Sequence, residues 1–191
     1  MARPTLSLTL PTFGSSVPAN EWHRLLDLAR AVDDAGVDRV LLTDHVVMGE
    51  HLDRYPFGDF HFQPDVPWLE PLSSIAAIAA VTRRVRMSTK ILIAPLRPAP
   101  LLAKTLATID QLSQGRVEIG VATGWQREEY EASGIEWSRR ARLKPMETPV
   151  RWRTDCSPAH RLPSRPRRWP CGAAAGHIRP RFVCFWWRYR A

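Results

Sequence analysis

The sequence predicts an α/β fold, a parallel sheet with helices packed outside it, followed by an irregular tail. Over residues 1–143, short apolar or β-branched runs alternate strictly with stretches of helical period, four times over. Such alternation is the mark of parallel strands joined by crossover helices. From Lys144 onward neither period persists. Prolines at 145, 149, 158, 163, 166, 170 and 180 would break a helix or interrupt a central strand there.

The elements follow in order. LSLTL at 6–10 alternates as a strand does and is closed by Pro11 and Gly14. Asn20 is placed to cap a helix in which Trp22, Leu25, Leu26, Ala29 and Val32 share a face, ending near Gly36. VDRVLL at 37–42 is a second strand. Residues 49–69 carry three prolines and two glycines without a sustained period, and read as a long loop of the kind used for lids. Pro71 suits the first turn of a helix through SSIAAIAAVTRR. VRMSTKILIAP at 85–95 is a third strand, apolar at its far end as a buried parallel strand is. In PAPLLAKTLATIDQLSQG, Leu102, Thr105, Leu106, Ile109 and Leu112 line a helix face that Gly115 stops. RVEIGVATG is a fourth strand running into a turn of small residues, and WQREEYEASG a short fourth helix.

Charge divides the chain at the same place. The formal net charge is +8, yet residues 1–143 hold 16 Lys/Arg against 17 Asp/Glu, and residues 144–191 hold 11 against 2. All three cysteines (Cys156, Cys171, Cys184) and half of the tryptophans also lie in the tail. The amino terminus lacks the apolar core and cleavage site of a secretory signal, and no run has the roughly 18 apolar residues of a membrane span. A cytoplasmic location and no membrane partner are therefore expected. The cysteine spacings form no C-x-x-C, and His160 and His177 complete no zinc pattern. His45, His51 and His61 are six and ten residues apart, which matches no compact metal-ligand spacing, so no metal is expected.

Three stretches can carry chemistry. Asp44-His45 falls where the second strand ends, and the carboxyl ends of parallel strands are where ligands bind. An imidazole there can give or take a proton near neutral pH, or the pair can simply cap and satisfy a turn. Lys90 interrupts an apolar strand. Its ammonium either meets an anionic ligand or reaches out to water along its stem. GVATGW at 120–125 lets backbone amides approach a ligand at a helix start, and equally suits a tight turn.

Taken together, LLTDHVVM, RYPF and the block from PWLEPLSS through GVATGWQREEYEASGI resemble the luciferase-like monooxygenase superfamily, more narrowly its F420-dependent oxidoreductases. The resemblance covers about residues 5–143. It implies the first half, about four β/α units, of a TIM (β/α)8 barrel, with coenzyme F420 (or FMN) bound at the carboxyl ends of the strands. It implies His45 as the catalytic residue beside the reactive ring. Asp44, Thr89, Lys90, Ile91, Thr123 and Gly124 are implied as its cofactor-binding neighbours, with a cis peptide bond at Lys90–Ile91. The sugar-phosphate dehydrogenases of the superfamily carry a catalytic Glu where this chain has Trp125, and a Trp where it has Gly49. Those departures argue against glucose 6-phosphate and leave another small organic substrate.

A complete barrel takes about 250 residues. The resemblance ends near residue 143, and residues 144–191 have the Arg, Pro, Trp and Cys bias of a GC-rich gene read out of frame. The sequence thus divides into a truncated barrel domain, 1–143, and a basic tail, 144–191, expected to be out of frame or disordered. It leaves open an oxidoreductase, an inactive half-barrel remnant whose open edges pair with a second copy, and a basic-tailed nucleic-acid binder. No recognition module supports the last.

Overall fold

In a computed structural model of the chain, the described residues are 4–14, 17–18, 20–60 and 65–138, with the backbone of 181–182. Strands β1 (Ser7–Thr9), β2 (Arg39–Leu42), β3 (Arg86–Ile93) and β4 (Val117–Ala122) alternate with helices α1 (Arg24–Asp34), α2 (Pro71–Val81), α3 (Ala99–Leu112) and α4 (Arg127–Ala132). All strands pair in parallel and in sequence order, Ser7 opposite Arg39, Arg39 opposite Arg86, and Met87 opposite Val117. This is the α/β arrangement the alternation predicts. A two-residue strand, β5 (Arg181–Phe182), adds in parallel beside β4, where no regular element was expected. The rest of the predicted tail, with its cysteines, lies outside the described residues.

Period two along the strands sorts the two faces of the sheet. Val40, Leu42, Met87, Val117 and Ile119 point to the helix layer and bury against Leu25, Ala29 and Val32 of α1, Ile75 and Ile78 of α2, and Leu106 and Ile109 of α3. Each such side chain contributes about 1.5–3 kcal/mol by leaving water. The opposite face is polar. There the buried Glu118 takes Arg86 Nε at 2.6 Å and Arg39 Nη2 at 2.6 Å.

Two helix details differ from the sequence reading. The chain makes tight turns from Pro18 to His23, each closed by a bond three residues back, so α1 begins at Arg24 and Asn20 lies upstream of its cap. In α3 the buried face is Ala103, Leu106, Ile109 and Asp110, whereas Leu112 is 72% exposed. Ser113 and the left-handed Gln114 turn the chain away at that point, so the last leucine of the stripe has nothing to pack on. Leu101 and Leu112 instead border an outer groove of about 530 Å³ between α2 and α3, which reaches Glu70 and Arg97 at one end. Among the described residues no helix is long and apolar enough to cross a membrane.

The amino ends of the strands are locked by two side chains. Asp33, at the end of α1, accepts the backbone N–H groups of Arg83 (2.8 Å), Arg84 (2.9 Å) and Val85 (2.6 Å), just before β3. Arg116, just before β4, donates to the carbonyls of Ala79, Thr82, Val85 and Ser113 and to the Thr82 hydroxyl. It thereby satisfies carbonyls that the end of α2 leaves open. Burial alone would raise the Asp33 pKa, but the three N–H donors and Arg84 outweigh it and hold the carboxyl below its usual range. Asp33→Ala should therefore lower stability by about 2–4 kcal/mol at neutral pH in urea unfolding. Because the native pKa is depressed, that contribution is present above the unfolded carboxylate range and lost as pH falls through the native value. The difference between wild type and variant should shrink as pH falls below the usual carboxylate range.

Candidate active site at the carboxyl ends of the strands

The loop leaving β2 is held by a buried ion pair. Asp44, its side chain shut off from solvent, accepts Arg97 Nη1 at 2.7 Å on Oδ2 and Arg97 Nη2 at 2.9 Å on Oδ1. The backbone N–H of Ile93 donates to Oδ2 at 2.8 Å. Arg97 also reaches Glu70 Oε1 at 2.9 Å, while Glu70 Oε2 caps α2 through Ser73 N at 2.6 Å. Asp44 thus uses both oxygens on the chain itself and fixes the residue next to it. That residue is His45.

His45 Nδ1 stands 3.1 Å from Glu129 Oε2, a close approach without the alignment of a hydrogen bond, and neither atom has a hydrogen-bond partner. The His45 side chain is 10% exposed and that of Glu129 fully buried. Glu129 Oε1 accepts the backbone N–H of Val46 at 2.9 Å, so one carboxylate addresses both the imidazole and the backbone beyond it. One turn earlier on the same face, Gln126 accepts from Gly49 N (3.1 Å) and donates to Gly49 O (3.3 Å). Glycine is required there, since a Cβ on residue 49 would stand 2.7 Å from Glu128 Cβ. The short helix α4 thus grips the β2 loop at three points.

Beside this pair the backbone of β3 is irregular. The Lys90–Ile91 peptide bond is cis, as the resemblance implies, and the β3–β4 register shifts between Thr89 and Leu92. Thr89 Oγ1 donates to Gly120 O at 2.7 Å, and a Cβ on Gly120 would meet Thr89 O at 2.6 Å. Gly124 has φ +72 and presses on Ile93, where a Cβ would come within 2.9 Å. The Tyr130 hydroxyl donates to Thr123 O and fixes the turn between them. The Lys90 side chain is exposed, so its cost inside the strand is relieved by water.

Aromatic rings enclose the histidine. Trp68 meets His45 edge to face at 4.6 Å, with Trp125 at 6.0 Å and Phe60 at 6.4 Å in the same manner. Tyr55 packs on Phe60 and Trp125, and Phe13 stacks flat on Trp68 at 4.2 Å. Backbone bonds between Gly14 and Pro67 and between Leu69 and Thr12 draw the β1 loop against the end of the 43–70 connection. Trp68 Nε1 is buried without a hydrogen-bond partner. An unpaired buried donor costs about 1–3 kcal/mol.

Of the residues singled out from sequence, the structure gathers Asp44, His45, Thr89, Lys90, Ile91, Thr123 and Gly124 at one end of the sheet. His61 lies outside the described residues, and among those described no group of three or more His, Cys, Asp or Glu side chains could hold a metal. Arg97, Gln126, Glu129 and the ring cluster were missed. One sequence signal existed for two of them: Gln126, at the cap of α4, is spaced to share a face with Glu129 and Tyr130 inside it, which makes two polar residues inward-facing with the tyrosine. The Asp44–Arg97 pair has a measurable consequence. Arg97→Met leaves a buried carboxylate unpaired and should destabilise the fold by about 3–5 kcal/mol, and adding Asp44→Asn should restore part of it. Thermal unfolding of the single and double variants checks this.

Sequence and structure comparisons agree on the company this chain keeps. The family model described as luciferase-like monooxygenase matches residues 5–145. An F420-dependent glucose-6-phosphate dehydrogenase of Nakamurella multipartita is 32% identical over 139 residues, 69% of this chain and 37% of that protein. An FMNH2-dependent dimethylsulfone monooxygenase of Pseudomonas fluorescens is 44% identical over 61 residues, 32% of this chain and 16% of that protein. The crystal structure of the monooxygenase RslO1 from Streptomyces bottropensis has a TM-score of 0.56 at 29% identity, covering 74% of this chain and 40% of that one. The chain spans less than half the length of the curated relatives it matches.

Proposed function

The chain belongs to the luciferase-like monooxygenase family, and from that premise we propose that it is an oxidoreductase that uses coenzyme F420, or FMN, on a small organic substrate. The observation that carries this reading is the His45–Glu129 pair, 3.1 Å apart and closed off from water at the carboxyl ends of the strands. A flat coenzyme fits the residues beside it. The cis bond at Lys90–Ile91 and the register shift between Thr89 and Leu92 break the regular strand there, and Ala122 and Gly124 keep the facing turn small.

When bound, such a coenzyme supplies a hydride or activates oxygen. The chain's own residues supply the rest. Glu129 Oε2, 3.1 Å from His45 Nδ1, would accept its N–H on a small turn of the ring, which would leave Nε2 to take or give the proton that accompanies the reaction. Asp44 and Arg97 hold the backbone from which His45 projects, so Asp44 serves the coenzyme through the loop it anchors. Thr89 keeps the bulge against β4, and Thr123 and Gly124 form the turn that Tyr130 secures. Lys90, exposed beside the bulge, offers an ammonium to an anionic part of the coenzyme. The rings around His45 exclude water. Trp125 and Gly49 stand where the resemblance places the Glu and Trp of sugar-phosphate dehydrogenases, which favours a substrate of another kind.

Titration of the chain with F420 and with FMN tests the reading. Uptake should change the absorbance or fluorescence of one of them, and His45→Ala should weaken that change. Turnover, once a substrate is found, should fall about 10²–10⁴-fold in the same variant. Glu129→Gln keeps the bond to Val46 and should retain coenzyme while losing part of the turnover. No spectral change with either coenzyme would sink the proposal.

A further inference from the structure

The rings around His45 define what it can meet. Phe60, Trp68 and Trp125 address the imidazole directly, with Tyr55 bracing two of them and Phe13 backing the third. The charged side chain in contact with this histidine is an anion, Glu129. Among the described residues, Arg97 is engaged on Asp44 and Glu70, Arg127 on Glu131, and the exposed Lys90 lies beside the bulge of β3 and makes no ring contact with His45. A phosphate or carboxylate brought against the rings would lose its water beside the carboxylate of Glu129. One polar group in the cluster has nothing to do, the buried indole N–H of Trp68.

We propose that the substrate taken up over His45 is a neutral, flat, largely apolar molecule carrying one hydrogen-bond acceptor, such as an aryl ketone, and that Trp68 Nε1–H is the donor that selects it. This rests on the oxidoreductase reading and names its substrate class. Apolar faces satisfy the rings through offset and edge-to-face contacts. The acceptor satisfies a donor that no water competes for, which makes its presence a criterion of selection. Entry parts Tyr55 and Phe60 from Trp125, all but the last of which belong to the long connection between β2 and α2.

Calorimetric titration of the full chain tests this with acetophenone, with ethylbenzene (the same outline without an acceptor) and with glucose 6-phosphate. Acetophenone should bind about tenfold more tightly than ethylbenzene, the worth of one sheltered neutral hydrogen bond, and the sugar phosphate should not bind. Trp68→Phe keeps the stack on Phe13 and should abolish the ketone's advantage without weakening ethylbenzene. In the unaltered protein, labelled with ¹⁵N-indole, the Trp68 N–H resonance should shift with acetophenone and stay in place with ethylbenzene, a reading independent of the variant's fold. Tighter binding of glucose 6-phosphate, an unmoved indole resonance, or displacement of acetophenone by FMN would overturn the inference. FMN displacement would make the ring cluster the coenzyme's seat. Loss of coenzyme uptake with acetophenone binding intact would instead defeat the oxidoreductase reading alone.

Discussion

Everything at the working end of this sheet depends on one buried carboxylate being neutralised. Asp44 sits at the tip of β2 without access to water, a position an anion tolerates only when fully partnered. Arg97 gives it two parallel bonds and the end of β3 gives a third. The same guanidinium then reaches the cap of α2. Three connections that are distant in sequence are thereby held at fixed separation, and the neighbour of Asp44 inherits its position from them.

The second support comes from a helix of six residues. A helix so short has little stability of its own, yet α4 buries a glutamate and a glutamine completely or nearly so. Both spend their polar atoms on the backbone of the β2 loop. Main-chain groups in a long loop need partners, and here α4 supplies them. The close approach this requires explains why residue 49 is a glycine, since a Cβ there would stand 2.7 Å from Glu128 Cβ.

Much of the fold was legible from periodicity because the helix layer touches one face of a parallel sheet, and period two and period 3.6 report that directly. The errors occur where backbone turns, not side-chain pattern, set the limits, at the start of α1 and at Leu112. In the site, His45 and the Thr89–Ile91 segment were legible from where strands end and from the family's motif. Arg97 and Glu129 were not, because each is defined by a partner 53 or 83–84 residues away. Trp125 was noticed only as a departure from a pattern. Its contact with rings from a loop without period could not be read from the loop. Asp44 stood out at the end of β2, but its engagement with Arg97 depends on a residue that no local signal singles out.

The locks at the amino ends of the strands have a further effect. Asp33 and Arg116 tie helix ends to strand starts, and Asp44 with Arg97 fixes the opposite ends of β2 and β3, whereas the rings around His45 are held largely by packing on one another. Local opening should therefore begin among the rings, leaving the helix–sheet layer intact. Substitutions at the locks and among the rings then have different effects. Those around Asp33 and Arg116 change how much protein a cell keeps, while those among the rings change what it recognises, so the second set can vary without depleting the first.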